Sequence, residues 1–125
     1  MTPTEIARGL IVCAGVMGAV GVALAAAGAH LPEAGRLSTA ALMLLLHAAA
    51  VLGAAALTER SLTQPMLGLI ATGGFVLGAS LFAGDLAARF FAERGLFPRA
   101  APTGGILLML SWLLLAIAAM WPRKG

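Results

Sequence analysis

Hydrophobic positions in this chain do not alternate with polar ones; they run on. Four stretches carry no Asp, Glu, Lys or Arg: residues 9–29, 38–57, 66–84 and 104–121. A helix rising 1.5 Å per residue needs about 20 mostly apolar residues to cross the hydrocarbon core of a bilayer. All four stretches meet that length, the last narrowly. Their connections are short, and short connections make consecutive helices antiparallel. The pattern predicts one all-α transmembrane domain over residues 1–125, an up-down-up-down bundle with helices at about 5–29, 38–57, 65–94 and 103–121.

Punctuation between the stretches fits this division. Thr4 and Glu5 can open the first helix, and Pro32 and Gly35 interrupt the chain after it. Ser38 and Thr39 offer caps for the second helix. Pro65, behind Thr63 and Gln64, stands at the third start, where a missing N–H costs little. The third helix is expected to run past its apolar stretch to Arg94, with Gly95 stopping it. Pro98 and Pro102 bracket the last loop, and Pro122 closes the fourth helix.

Composition sharpens the class. Of 125 residues 61% are hydrophobic and 10% charged, with 16 further glycines and no Tyr, and the mean hydropathy is +1.00. A soluble domain this small cannot hide so much apolar surface. Soluble globular, disordered, disulfide-scaffold and nucleic-acid-binding classes are thereby excluded; Cys13 is alone and forms no bridge within the chain. The net charge of +3 comes from a few basic residues at segment ends, which suits lipid headgroups. A signal peptide over the first 29 residues, or lipoprotein processing at Cys13, is set aside. Met1 is present, and Leu10–Cys13 lacks the small residue and the upstream apolar region that such processing needs. The first stretch is expected to stay as a span.

With four spans, both termini share a face. That face holds Arg8, Arg60, Arg123 and Lys124; the other holds Arg36, Arg89, Arg94 and Arg99. The positive-inside count ties, and the Arg123-Lys124 tail tips the expectation toward cytoplasmic termini in a bacterial inner membrane.

Lipid gives helices no hydrophobic reason to associate, so close approach at small residues carries packing. Gly15, Gly18 and Gly21 on the first helix, and Gly74, Gly78 and Gly84 on the third, are the expected packing positions.

Polar groups within reach of the membrane are few, and they gather toward the face opposite the termini. His30 ends the first helix. His47 lies about 12 Å inside the second. Asp85 ends the third apolar stretch, Arg89 follows one turn on, and Thr103 begins the fourth helix. His30, His47, Asp85, Arg89 and Thr103 form the candidate polar cluster. Each also has a plain structural role: His30 can bond terminal carbonyls, and Asp85–Arg89 can be an interfacial i,i+4 pair that Glu93 extends. Phe90, Phe91 and Phe97 with Arg94 and Arg99 read as an interfacial belt, with Trp121 opposite and Trp112 inside the fourth helix. His47 must find a partner in the hydrocarbon. It serves as interhelical glue or as a proton-handling group, neutral and bonded to Ser80 or to carbonyls of the first helix, near the His30/Asp85 end.

No catalytic residue, metal site or cofactor is expected. His30, His47 and Asp85 are the only convergent ligand types, and their spacing matches no ligand motif. Ser80 and Ser111 have no base near them, and no strand carries a phosphate loop.

The order of several motifs resembles the domain-of-unknown-function 423 family of small bacterial membrane proteins, whose eukaryotic relatives are called transmembrane-protein-256-like. Gly28-Ala29-His30, within Val22–Leu31, is similar to the family's Gly-Ala-x-Gly-Ala-His. His47 stands at its second-helix His, and Gly78 and Leu81-Phe82-Ala83-Gly84-Asp85-Leu86 are similar to its Leu-Phe-Ser-Gly-Ser-Leu-Tyr. Ala101-Pro102-Thr103-Gly104-Gly105 resembles Thr-Pro-x-Gly-Gly, and Ser111-Trp112 stands for Gly-Trp. The family's Tyr-Gln before the second-helix His is Met43-Leu44 here, its Ser is Asp85, and its Tyr is Ala87. The resemblance implies a four-helix inner-membrane protein and no particular activity. Size and short loops point to a non-enzymatic accessory subunit, in contact with lipid and with a larger membrane complex or further copies of itself. A small oligomeric transporter or proton-linked carrier built on His47, His30 and Asp85 is the alternative.

Overall fold

The computed structural model describes residues 1–121 and consists of four helices: α1 (Pro3–His30), α2 (Gly35–Glu59), α3 (Pro65–Phe91) and α4 (Ala100–Met120). All four are long and apolar enough to span a membrane. Pro122 and the Arg123-Lys124 tail, with their expected roles, lie outside the described residues.

Helix ends follow hydrogen-bond accounting more closely than they follow the apolar stretches. α1 opens at Pro3, capped by Thr2 and not by the expected Thr4. Glu5 N donates to Thr2 Oγ1 at 3.1 Å while Thr2 N donates to Glu5 Oε2 at 2.9 Å, a reciprocal capping box with Pro3 in the first turn. The Thr-x-x-Glu spacing carried that signal. α2 also starts early, after Ala34, and uses neither Ser38 nor Thr39 as a cap. The Ala34 carbonyl accepts from Leu37 N and Ser38 N instead, and Thr39 Oγ1 donates back to Gly35 O at 3.2 Å. α3 opens at Pro65 with Gln64 Oε1 accepting from Leu67 N at 2.7 Å. It stops at Phe91, short of Arg94, because the chain turns back at Glu93 (φ 59°) well before Gly95. α4 begins behind Arg99, itself at φ 64°, with Pro102 inside the first turn.

The principal contacts run α1–α2, α2–α3 and α3–α4, with a smaller one between α1 and α3. The inner pair is therefore α2 and α3: 44% and 39% of their apolar windows are buried, against 17% for α1 and 22% for α4. The interior is built mainly from alanine, with Leu37, Val51 and Phe75 as its largest fully buried apolar side chains. Small side chains let the backbones close up. Outside, Val12, Val16, Leu42, Leu46, Leu77 and Leu113 are all exposed, a surface suited to lipid and not to water.

Candidate functional site

His47 lies on the inner face of α2 and is 2% exposed. Both ring nitrogens are engaged. Trp112 Nε1, from α4, donates to His47 Nε2 at 3.1 Å. An indole N–H can only donate, so Nε2 carries no proton. The ring proton then sits on Nδ1 and is donated to Met43 O, one turn back on α2, at 2.7 Å. Phe75 of α3 closes the group, with its ring centroid 4.6 Å from that of Trp112 and 5.8 Å from that of His47. Three helices thus meet at one imidazole. Ser80 and the α1 carbonyls, the expected partners, are not used; Ser80 is exposed on α3. Trp112 was missed because α4 is apolar all round, which leaves nothing in the sequence to fix its rotation.

Asp85 is fully buried at the far end of α3. Its Oδ2 accepts from Arg89 Nε at 3.0 Å, and its Oδ1 accepts from Leu96 N at 2.9 Å. The second bond spans eleven residues and folds the α3–α4 connection over the carboxylate. Gly95 sits so close that a Cβ there would strike Asp85 Oδ1. Glycine is needed for that approach, not to stop the helix. Glu93 does not extend the ladder, since it lies beyond the helix end in the left-handed region.

The five polar residues do not form one cluster. Asp85 and Arg89 pair; His47 sits beside Phe75, ten residues and about 15 Å down α3 from Asp85. His30 and Thr103 are exposed and, among the described residues, their side chains make no hydrogen bond. The reason is geometric: sharing one end of a bundle does not place residues on facing sides of their helices. Among the described residues no three of His, Cys, Asp and Glu converge.

The glycines divide in the same way. A Cβ at Gly78 would lie 2.9 Å from Leu108 and 3.0 Å from Gly104 O. One turn earlier, Gly74 faces Ser111 Oγ. Gly21 meets Leu45 at 2.7 Å, and Gly84 meets the Leu96 side chain at 3.3 Å. Gly15 and Gly18 have nothing within 4 Å, because that side of α1 faces outward. Gly104, whose Cβ would lie 2.7 Å from Gly78 O, and Gly28 against Ser38 belong to the packing set that the sequence reading left out.

These features define a small multi-pass membrane protein in which a buried imidazole joins α2 to α4 and a buried carboxylate holds the α3–α4 connection. Residues 24–105 match the family described as Protein of unknown function (DUF423), and the chain belongs to that family. No curated protein and no solved structure matches it.

Proposed function

We propose that this protein is a non-enzymatic accessory subunit of a bacterial inner membrane, with both termini in the cytoplasm, which packs against a larger membrane complex through α1. The observation that carries the reading is the outward face of α1. Gly15 and Gly18, about 60° apart around the helix, face open space, although glycine costs a helix about 1 kcal/mol relative to alanine. Glycine on an outer helix face allows a partner helix to approach closely. The carrier alternative is disfavoured by the bonding of its three groups. His47 has both nitrogens engaged, Asp85 is held by Arg89 and Leu96, and His30 lies apart and exposed.

Extraction into nanodiscs without harsh detergent, followed by identification of what co-purifies, tests this. A stoichiometric larger complex is expected, and Gly15→Leu should reduce its recovery several-fold while leaving the bundle folded. Recovery of the chain as a pure homo-oligomer, or full recovery of the complex with Gly15→Leu, would overturn the proposal.

A further inference from the structure

On the side carrying the N-terminus, α1 and α2 part. The gap is an apolar slot of about 300 Å³ walled by Ala7, Ile11, Leu52 and Ala56, with Arg8 and Glu59 also lining it. Beside it lies a more polar hollow of about 360 Å³ bounded by Thr4, Thr58 and Pro65 together with Glu59. Thr4 and Glu59 belong to both, so the hollow forms a polar mouth over the slot. From Thr4 to Ile11 on one wall, and from Glu59 to Leu52 on the other, the slot runs about 10 Å along the helices.

The two charges are the informative feature. Among the described residues the one ion pair is Asp85–Arg89, so Arg8 and Glu59 border one slot without pairing. Glu59 is the last residue of α2 and stands at the rim. Arg8 enters one turn deeper than Thr4 on α1. By position along the helices the cation lies deeper than the anion, both beside an apolar slot, and that order is the complement of one ligand class. In a phosphatidylethanolamine the phosphodiester lies next to the acyl chains and the primary ammonium lies outermost. The geometry points to a bound phosphatidylethanolamine: an acyl chain in the slot, the phosphate at Arg8 and the ammonium at Glu59. Arg is suited to the phosphate because its planar fork presents several donors. The Glu59 carboxylate accepts N–H bonds from the ammonium. A choline headgroup has no N–H to give, and a glycerol headgroup has no cation. This assignment does not depend on the accessory role, since the slot lies between two helices of the same chain.

The full-length protein, purified and stripped of lipid in mild detergent, is titrated with phosphatidylethanolamine, phosphatidylcholine and phosphatidylglycerol of identical acyl chains. Binding is read by native mass spectrometry and by the shift in Tm. Phosphatidylethanolamine should bind about threefold or more tighter than phosphatidylcholine, the scale of one exposed ion pair, and phosphatidylglycerol weakest. Glu59→Gln should abolish the difference between the first two. Arg8→Gln should weaken all three, and Leu52→Trp, which fills the slot, should do the same. Glu33→Gln, in the α1–α2 connection at the other end of the bundle, should leave the order unchanged. Equal binding of the three lipids, strongest binding of phosphatidylglycerol, or an unchanged preference in Glu59→Gln would overturn the assignment. So would cross-linking of Ile11→Cys between copies at full yield with lipid present, which would make the occupant a second chain.

Discussion

A single imidazole shows what sequence could and could not say at the scale of a residue. That His47 needs partners was legible, because an unpaired donor and acceptor in hydrocarbon cost more than the helix can spare. Its partner was not. The bond to Met43 O is local and open to any helical histidine, whereas the bond from Trp112 depends on how α4 is turned toward α2. The pair makes a prediction about the acceptor at Nε2. Trp112→Phe keeps the aromatic contact with Phe75 but leaves that nitrogen without its donor, and should destabilise the bundle by about 1 kcal/mol. His47→Phe should leave the indole N–H unsatisfied at a similar cost. His47→Gln can still accept from it and should lose less. Unfolding in mixed detergent micelles measures all three. If His47→Phe proves more stable than His47→Gln, the indole bond is not what holds this site.

Helices were legible as elements, and a side-chain cap made a start legible only where the sequence reading took the residue that uses it. Gln64 and Pro65 fall where the pattern puts the third start, and Thr2 with Glu5 follows a spacing rule that the apolar stretch hides. The end of α3 was not legible, because its determinant is Asp85 reaching to Leu96 across the turn. The packing glycines were partly legible. Spacing marks small faces but does not say which one meets a neighbour, and so Gly15 and Gly78 looked alike. The structure separates them, and so should mutation. Gly78→Leu has to push α3 away from Leu108 and Gly104, and the melting temperature in detergent should fall sharply. Gly15→Leu meets nothing within the chain and should leave it unchanged. Equal melting temperatures for the two variants would remove α3–α4 contact as the basis of the fold. At the α3–α4 turn, Asp85→Ala leaves Leu96 N without its acceptor and Arg89 without its partner. A loss of about 1–3 kcal/mol is expected, with faster proteolysis at residues 92–99 as the local readout. Unchanged cleavage there would mean that the turn holds without the carboxylate.

At the scale of the whole molecule the four spans fix one thing and leave another finely balanced. An even number of crossings puts the α2–α3 turn on the face of the N-terminus and Gly95 on the opposite face. Orientation relative to the cytoplasm rests on charge, and the basic residues tie between the two faces. Asp85 engages Arg89 and so subtracts from the far side. That subtraction and the basic tail set the direction proposed above. A system so close to balance should respond to single charges. A reporter at Gly95 should read non-cytoplasmic and one at the C-terminus cytoplasmic. Leu62→Lys, on an exposed position of the α2–α3 turn, should make that orientation uniform. Asp85→Asn together with a lysine at the exposed Leu96 should produce a mixed or inverted population. Reporters at Gly95 and at the C-terminus that both read the same side would refute the four-span arrangement itself. An orientation indifferent to both charge changes would instead place its origin outside the chain's own basic residues, in the partner proposed for α1.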